Sequence, residues 1–489
     1  MYKLTEKQKQ IIDIEKIFEN TSINTLGIIA DFKIQYSYSE INEMLNNVVR
    51  DIDAFQVRYF EKDNTLYQKF ESFKYEDFPQ LDFSSKEQEY EEFKNKHMSK
   101  CYFKKDEKLY DIYVIRKPSS KMAFGLFMHH SISDAWSLAE IFSRKLCQYI
   151  LGRETHKDSN ESFEDYLKNI FEEKKNPVRM ERNERYWHKA LENYSGINQY
   201  PKISSTEELV SERNSFTLNM EESELIIKGA KNCGVTLPVL FLSSLTLLKT
   251  YEEHSDSISM GVAFLGRKRR ERKIFGEFVH LLPLLVNVNK DMNAKEFLSY
   301  IKGQQMSLFK HSDYSYNDIL NYANMELKKD IDLLEIGYSF QNASYDTEIS
   351  SVFGDLEWLN SNNQNIPLTV HVSDRSRDKT LDFDYDYRIS LFNEDDIERM
   401  HHRLVYIAKE LITAYNNPDL AISDIDILPS GERYKITKVF NNPEINYNND
   451  LNVKEIFEEI VNKYPNKTAL VYEDEAVSYE ELNKKSNQL

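Results

Sequence analysis

One apolar stretch in the first third of the chain runs directly from a strand pattern into a helix pattern. Residues Ala123–Met128 are apolar on both faces, which is typical of a strand inside a covered sheet. From Ala135 to Leu151 apolar residues recur at helical spacing, and Gly152 stands where a helix C-cap is expected. A buried strand that leads at once into a long amphipathic helix favours a mixed α/β architecture.

The segment between this strand and this helix carries the residues with the most chemistry. It reads His129-His130-Ser131-Ile132-Ser133-Asp134. Because a strand alternates its side chains, His129 and His130 point to opposite faces, so only one of them can face a given cleft. The other imidazole must be packed or hydrogen-bonded. The exposed one can exchange a proton with an amine or hydroxyl near neutral pH, and Asp134 can fix the loop by pairing with a cation.

Two other interpretations of the histidine pair stay open at this point. The first is that the pair is structural and only ends a strand. We infer a structural role for His401-His402 as well, since that pair lies in a helix pattern without the aspartate or the preceding strand. The second is a metal site at His129, His130 and Asp134. Adjacent ligands on opposite strand faces cannot chelate one ion, which disfavours that site.

Charge and composition exclude several classes of function. The formal net charge is -18, and an acidic surface repels phosphate backbones, so we expect no nucleic-acid partner. The run Arg267-Lys268-Arg269-Arg270 departs from this trend and is either a solvated loop or a contact patch for an anionic group. No apolar run reaches the roughly 18 residues of a membrane span. Three scattered cysteines fit a reducing compartment, so we predict a cytoplasmic protein with no membrane partner and no metal.

The pattern of elements divides the chain into four parts. Residues 1–175 and 176–430 are two lobes with the same mixture of strands and helices, and 431–450 is a linker. Residues 451–489 begin a further pattern but are too few to form a core alone. Nucleotide-binding loops and the serine elbow are absent from the sequence, so any bond that the protein makes must draw on a substrate activated beforehand.

Several segments, in order along the chain, resemble the condensation domains of nonribosomal peptide synthetases. His129–Ser137 resembles their HHxxxDG signature, which other acyltransferases of the chloramphenicol acetyltransferase superfamily share. Further segments are similar to family segments: Leu4–Lys9 to "LTxxQ", Phe55–Phe60 to "LRTRF", Glu184–Trp187 to the "YW" helix, Phe275–His280 to "IGxFVN", Tyr338–Asn342 to "FSYQN" and Tyr387–Phe392 to "YNxDLF". The tail from Ile456 to Leu482 resembles the start of an adenylation domain.

The resemblance implies a fold, a reaction and partners. The fold is α/β (an α+β sandwich), with two chloramphenicol-acetyltransferase-like lobes in a V-shaped pseudo-dimer and the histidine motif between them. The reaction is amide formation by attack of a carrier-bound aminoacyl amine on a donor acyl thioester. The chain would bind no cofactor covalently. Its substrates would ride on the phosphopantetheine of partner carrier proteins, or arrive as acyl-CoA, beside an adjoining adenylation domain, and the protein would be a monomer.

The same resemblance assigns roles to individual residues. His130 would take the proton from the amine or steady the tetrahedral intermediate, with His129 and Asp134 completing the catalytic motif. Asp134 would be structural and form an ion pair with Arg58. The candidate residues of a substrate tunnel are Ser133, Trp136, Tyr338 and Gln341. For Trp136 and Tyr338 the alternative is that they are ordinary core aromatics.

Two departures from the family pattern affect the subtype. Ala135 stands where the family mostly has glycine, and His280 stands where it has asparagine. The segment Glu15–Asn24 resembles the "EKxYPNTSI" stretch of starter domains, and Ser133–Ser137 also resembles those domains. The family pattern begins at Tyr2. We therefore expect a chain-initiating domain with an acyl donor. The alternatives are a chain-elongating domain, an epimerisation domain and a noncatalytic condensation-like domain.

Overall fold

The computed structural model describes residues 1–153, 161–172, 176–341, 347–374, 380–441, 451–473 and 475–488. The chain forms two compact units, Met1–Ile427 and Leu428–Leu489. The histidine motif lies in the first unit.

Three sheets make up the strand framework of the first unit. Its strands are β1 (Tyr2–Lys3), β2 (Thr25–Phe32), β3 (Val57–Lys62), β4 (Thr65–Phe70), β5 (Gln80–Asp82), β6 (Tyr110–Arg116), β7 (Met122–His129), β8 (Ser211–Thr217), β9 (Ser257–Leu265), β10 (Val279–Asn287), β11 (Ile336–Gln341), β12 (Phe353–Leu359), β13 (Leu368–Ser373) and β14 (Asp382–Arg388). The spatial orders are β1-β4-β3, β12-β2-β7-β6-β5 and β10-β9-β11-β13-β14-β8.

The helices of the first unit cover these sheets, and the predicted α/β architecture is confirmed. They are α1 (Glu6–Ile17), α2 (Tyr38–Asp51), α3 (Glu87–Met98), α4 (Ser143–Ile150), α5 (Phe163–Glu172), α6 (Pro177–Glu192), α7 (Met220–Asn232), α8 (Leu237–Glu252), α9 (Ala294–Lys310), α10 (Tyr316–Asn321), α11 (Thr347–Val352) and α12 (Glu394–Ala414). Short 3-10 turns cover Asp53–Gln56, His130–Ile132, Thr206–Leu209, Glu271–Lys273 and Ile422–Asp424. Two π-helical segments cover Ser137–Phe142 and Tyr322–Glu326.

The five-stranded sheet holds the motif at the end of one of its central strands. Every residue of β7 is buried, as its apolar pattern predicts. It pairs antiparallel with β2, from Thr25 opposite His129 to Asp31 opposite Ala123. On the far side of β2 lies β12, which comes from the second half of the chain. The two halves therefore share one sheet.

The six-stranded sheet packs against the most apolar helix of the chain. All residues from Val239 to Thr250 of α8 are buried, and its hydroxyl side chains bond back to carbonyls one turn earlier, such as Thr246 to Leu242 at 2.7 Å. Because those hydroxyls find partners within the helix, it can be buried on all sides. It packs against α9 and α12 in the core of this half.

The helix after the motif differs from the prediction in its first half. A single α-helix was expected over Ala135–Leu151, but the chain forms the π-helical segment first and only then α4. Ser143 Oγ donates to Leu138 O at 3.0 Å, five residues back, which suits the wider turn. The predicted end is correct, since Gly152 adopts φ 66°, a conformation that glycine allows without strain.

The second unit is small. It contains α13 (Ser430–Tyr434), a π-helical turn (Lys435–Val439), α14 (Val453–Lys463), β15 (Thr468–Tyr472), β16 (Glu475–Ser478) and α15 (Tyr479–Ser486). β15 and β16 form an antiparallel hairpin. Among the described helices of the whole chain, none is by itself long and apolar enough to cross a membrane, and only α7 and α8 together, across a 97° bend, meet that test.

Candidate active site

His129 is the last residue of β7, and its imidazole is enclosed in a hydrogen-bond network. Its Nδ1 lies 2.7 Å from Ser131 Oγ, and its Nε2 lies 3.3 Å from Glu15 Oε2. Ser131 Oγ also accepts from the Tyr59 hydroxyl at 2.9 Å. Burial lowers the pKa of His129, although Glu15 acts in the opposite direction. Both ring nitrogens are in use, and only 1% of the side chain is exposed, so His129 faces no substrate.

His130 follows in the 3-10 turn, and 32% of its side chain is exposed. Its Nδ1 lies 2.8 Å from Oε2 of Glu277, a carboxylate from the second half of the chain with 2% exposure. The contact is an ion pair without good hydrogen-bond alignment. Burial alone would lower the pKa of His130, but the carboxylate outweighs burial and raises that pKa. Nε2 has no hydrogen-bond partner among the described residues, so it is the nitrogen that a substrate can reach.

Asp134 is fully buried and pairs with Arg267, whose Nη2 lies 2.8 Å from each carboxylate oxygen. The predicted ion pair between Asp134 and Arg58 is therefore wrong. Arg58 instead donates to two nearby backbone carbonyls, and its Nε lies 3.8 Å from Glu71. The reason is the direction of the Asp134 side chain, which faces the second half of the chain, where the Phe278 N–H also donates to it at 3.1 Å.

The basic run that contains Arg267 is divided between interior and surface. Arg267 is 9% exposed, and its Nη1 donates to the carbonyls of Glu271 and Ile274, at 2.8 and 2.5 Å. Lys268–Arg270 are exposed. The interpretation as a solvated loop is correct for these three residues and wrong for Arg267.

Hydrogen bonds from two side chains to the backbone of Gly276 hold the motif turn against the segment that carries Glu277. Ser137 Oγ donates to Gly276 O at 2.9 Å and accepts from the Gly276 N–H at 3.0 Å. Arg267 Nη2 adds bonds to the same two groups, at 2.6 Å to Ser137 Oγ and 3.0 Å to Gly276 O. A side chain at Gly276 would place its Cβ 2.8 Å from Phe163, so the close approach requires glycine. The two halves of the chain are thereby fixed together beside His130.

The predicted tunnel residues do not form one group. Ser133 is buried, and its hydroxyl donates to Asp134 O at 3.3 Å. Trp136 is half-buried and donates from Nε1 to Arg272 O at 3.0 Å. Tyr338 is 1% exposed in the core of the second half and donates to Pro238 O, so the core alternative fits it and a tunnel wall does not.

Gln341 lies at the end of β11, with its Nε2 3.3 Å from His371 Nδ1. The last residue of that family segment, Asn342, lies outside the described residues.

The two departures from the family pattern are accommodated. Ala135 is exposed and does not have a positive φ, so its methyl group needs no glycine-like backbone. His280 stacks on Phe264 with a centroid distance of 5.1 Å, and burial lowers the pKa of His280 to about 3. His280 is therefore a neutral aromatic group at physiological pH.

A cavity of about 330 Å³ lies between α1 and β10, and three carboxylates, Glu6, Glu271 and Asp313, are among its lining residues. Its lining mixes charged and aromatic side chains, among them Lys7, Arg179, Lys268, His280, Tyr166 and Tyr316. His130 is not one of its lining residues. Burial lowers the pKa of Lys7, whose ammonium lies 5.4 Å from the centre of the Phe278 ring.

Sequence reasoning missed the three partners that decide the roles of the motif residues. Arg267 was noted only as part of a basic run, and Glu277 lay unremarked inside a recognised family segment. Glu15 begins the segment that resembles starter domains, but nothing in the sequence pairs it with His129. Among the described residues, no group of three or more His, Cys, Asp or Glu side chains is arranged to hold a metal ion.

A family model and curated relatives both match nearly the whole chain. Residues 1–437 match the family model "Condensation domain". The chain is 23% identical over 507 residues to bacitracin synthase 3 of Bacillus licheniformis, and 23% identical over 499 residues to surfactin synthase subunit 1 of Bacillus subtilis (strain 168). It covers 8% and 14% of their lengths, and they match 100% and 99% of it.

Solved condensation domains share the fold at low identity. A mutant of the starter condensation domain of rhizomide synthetase RzmA, in complex with C8-CoA, superposes with a TM-score of 0.74 at 13% identity, covering 87% of this chain and 97% of that one. The first condensation domain of the calcium-dependent antibiotic synthetase gives a TM-score of 0.71 at 14% identity, with 87% and 99% covered.

Proposed function

This chain belongs to the condensation-domain family, and we propose that it forms an amide between a carrier-bound aminoacyl group and an activated acyl group. The acceptor and the donor would be presented on the phosphopantetheine arms of carrier proteins, with acyl-CoA as another donor source. We further propose a monomer that works in the cytoplasm, next to an adenylation domain that begins near residue 451.

The observation that carries this proposal is the free Nε2 of His130. His130 is the histidine of the motif that keeps an exposed edge, and it lies where the two halves of the chain are clamped together. In the proposed step, the acceptor amine attacks the thioester carbonyl carbon. A C–N bond forms, the C–S bond breaks, and the amine proton passes by way of Nε2 to the departing thiolate. Much of the rate would come from holding two reactants together.

We assign the donor to the acyl class, as in a chain-initiating domain. The resemblance of Glu15–Asn24 to starter domains supports this, and the RzmA domain, which is named a starter domain, binds C8-CoA and has a similar fold. An acyl donor has no α-ammonium, so its channel needs no carboxylate. The charged cavity beside Lys7 fits the polar pantetheine arm better than an acyl chain.

A competition experiment tests both the reaction and the donor class. The protein is mixed with an aminoacyl-loaded carrier, octanoyl-CoA and an aminoacyl thioester donor, and intact-mass measurement follows the carrier. We expect the octanoyl amide as the main product, and no product above background with His130→Ala. A dominant dipeptide product would replace the starter assignment with chain elongation. The absence of any amide from either donor would contradict the proposed reaction.

A further inference from the structure

The carboxylate of Glu277 has one oxygen held by the backbone and one oxygen directed at His130. Oε1 accepts from the Val279 N–H at 2.8 Å, whereas Oε2 lies 2.8 Å from His130 Nδ1. The residues on either side of Glu277 are both bonded to the motif turn, Gly276 to Ser137 and Phe278 to Asp134. The position of Glu277 relative to His130 is therefore fixed on both sides.

We propose that Glu277 is a positioning residue for His130, which holds the proton of the neutral imidazole on Nδ1 and leaves Nε2 free to accept one. This inference rests on the proposed amide-forming reaction. An ionised carboxylate can only accept, so its charge 2.8 Å from Nδ1 favours the tautomer with the hydrogen on that nitrogen, even though the contact is not aligned as a hydrogen bond. The other nitrogen then has its lone pair available, which is the form that takes a proton from an attacking amine.

Among the charged groups around His130, Glu277 is its main counter-charge. Lys7 of α1 faces Glu277, Glu271 and Asp134, and burial lowers its pKa. Asp134 is bonded to Arg267, which compensates its charge. Burial lowers the pKa of His129, and Glu15 rather than Glu277 is the carboxylate beside it. Glu277 and the backbone of His130 raise the pKa of His130, and burial raises the pKa of Glu277 although His130 acts in the opposite direction, so the pair shares a proton that it keeps to a higher pH than an ordinary histidine would.

Two substitutions separate positioning from simple packing. In Glu277→Gln the amide oxygen can stay on the Val279 N–H, and its NH₂ group then faces Nδ1. A donor in that place favours the tautomer with hydrogen on Nε2, which cannot accept a proton. We expect kcat to fall on the order of 100-fold, without recovery at high pH.

Glu277→Leu removes the charge without imposing a tautomer. Burial then lowers the pKa of His130, so the rising limb of the kcat-pH profile should move to lower pH. The loss of kcat at pH 8 should stay within about tenfold. Glu277→Asp keeps the charge on a shorter side chain and should recover part of the wild-type profile.

A measurement without substrate keeps the test independent of the proposed function. Histidine-labelled protein is titrated by ¹⁵N NMR, and His130 is assigned from its loss in His130→Ala. We expect Nδ1–H in the wild type, Nε2–H in Glu277→Gln and a lower His130 pKa in Glu277→Leu. Glu15→Gln, which alters the carboxylate beside His129, is the matched control and should leave the His130 tautomer unchanged.

The outcomes are distinguishable from a failure of the proposed reaction. An unchanged His130 tautomer and pKa in both folded Glu277 variants would overturn the inference, whatever the activity. If the NMR changes occur but no amide forms with any donor, the positioning role stands and the reaction is wrong. Thermal melting checks that each variant is folded, and the near-isosteric Glu277→Gln keeps the test available if Glu277→Leu does not fold.

Discussion

His129 and His130 are neighbours in sequence, and each lies next to a buried glutamate, yet their environments differ in three ways. Glu15, beside His129, belongs to α1 in the same half of the chain, while Glu277, beside His130, comes from the other half. Both nitrogens of His129 have partners, whereas His130 keeps Nε2 free. Burial lowers the pKa of His129, and Glu277 raises the pKa of His130.

The difference shows that two histidines of the same sequence motif can have different roles, one structural and one open to substrate. His129 uses its hydrogen bonds to hold the strand end to α1, and His130 has one nitrogen left for chemistry. What separates them is the number of partners that the fold supplies, and whether those partners come from one half of the chain or from both.

The largest expected effect separates the two histidines by activity. His130→Ala should reduce amide formation by about 10²–10⁴-fold with little change in melting temperature, because it removes a partly exposed group. His129→Ala should mainly lower the melting temperature, because it removes one hydrogen-bond partner from buried Glu15 and one from buried Ser131. Initial rates and thermal melts check both. Near-normal turnover by folded His130→Ala would remove the basis of the comparison.

The next effect concerns the link that brings the Glu277 segment to His130. Asp134→Ala leaves Arg267 buried without its counter-ion, so the free energy of unfolding should fall by about 3–5 kcal/mol. Arg58→Ala removes two hydrogen bonds to backbone carbonyls and a weak ion pair with Glu71 at 3.8 Å. It should lower the free energy of unfolding by about 1 kcal/mol. Urea unfolding compares the two. Equal losses would mean that the Asp134–Arg267 pair does not stabilise the junction.

A second pair of adjacent histidines tests how burial alone affects a histidine. In α12, His401 is 3% exposed, and burial lowers its pKa to about 3, while His402 is exposed. The unfolded chain takes up a proton on His401 below about pH 6.5 and the folded protein does not, so stability falls as pH falls. At pH 5.5 this should cost about 1.4 kcal/mol relative to pH 7.5.

His401→Gln should therefore reduce the loss of unfolding free energy between pH 7.5 and 5.5, measured by urea titration at each pH. His402→Gln is the matched control and should leave that loss unchanged. The same acid sensitivity in His401→Gln as in the wild type would show that other groups cause it.

The smallest expected effect is that of removing the C-terminal residues, which should change neither activity nor stability of the first unit. Because both histidines and their carboxylates lie in the first unit, removal of residues 451–489 should leave the rate of amide formation and the melting temperature of that unit unchanged. The intact protein should bind no ATP in calorimetry. A folding defect after truncation, or saturable ATP binding, would contradict this expectation.

Local pattern, together with the family resemblance, was enough to predict much of the fold and the central residue of the site. The buried strand β7 and the end of its following helix at Gly152 follow from short-range alternation, spacing and turn chemistry. Alternation also indicated that only one of the two histidines can face a cleft, and the resemblance to condensation domains identified that one as His130. The partners of the motif could not be found that way. Arg267 and Glu277 lie 133 and 147 positions from Asp134 and His130, and nothing in the local sequence encodes which buried cation meets which carboxylate.

The wrong Arg58 partner illustrates the limit. Arg58 belongs to the same half as Asp134 and lies in a family segment, so it was a reasonable candidate by proximity in sequence. Only the three-dimensional path of the Gly276 segment, which passes close to Ser137, reveals that Arg267 rather than Arg58 pairs with Asp134.

The strand β12 has a consequence for how the protein is made on the ribosome. It completes the edge of the sheet that carries the motif, yet Phe353 is synthesised about 320 residues after its partner Phe32. At roughly 5–20 residues per second, that interval lasts some tens of seconds. Throughout it, the apolar strand β2 presents an unpaired edge, the kind of surface that other nascent chains can join. A fragment that ends anywhere between Asp134 and Phe353 carries the whole histidine motif on a sheet that is still unfinished.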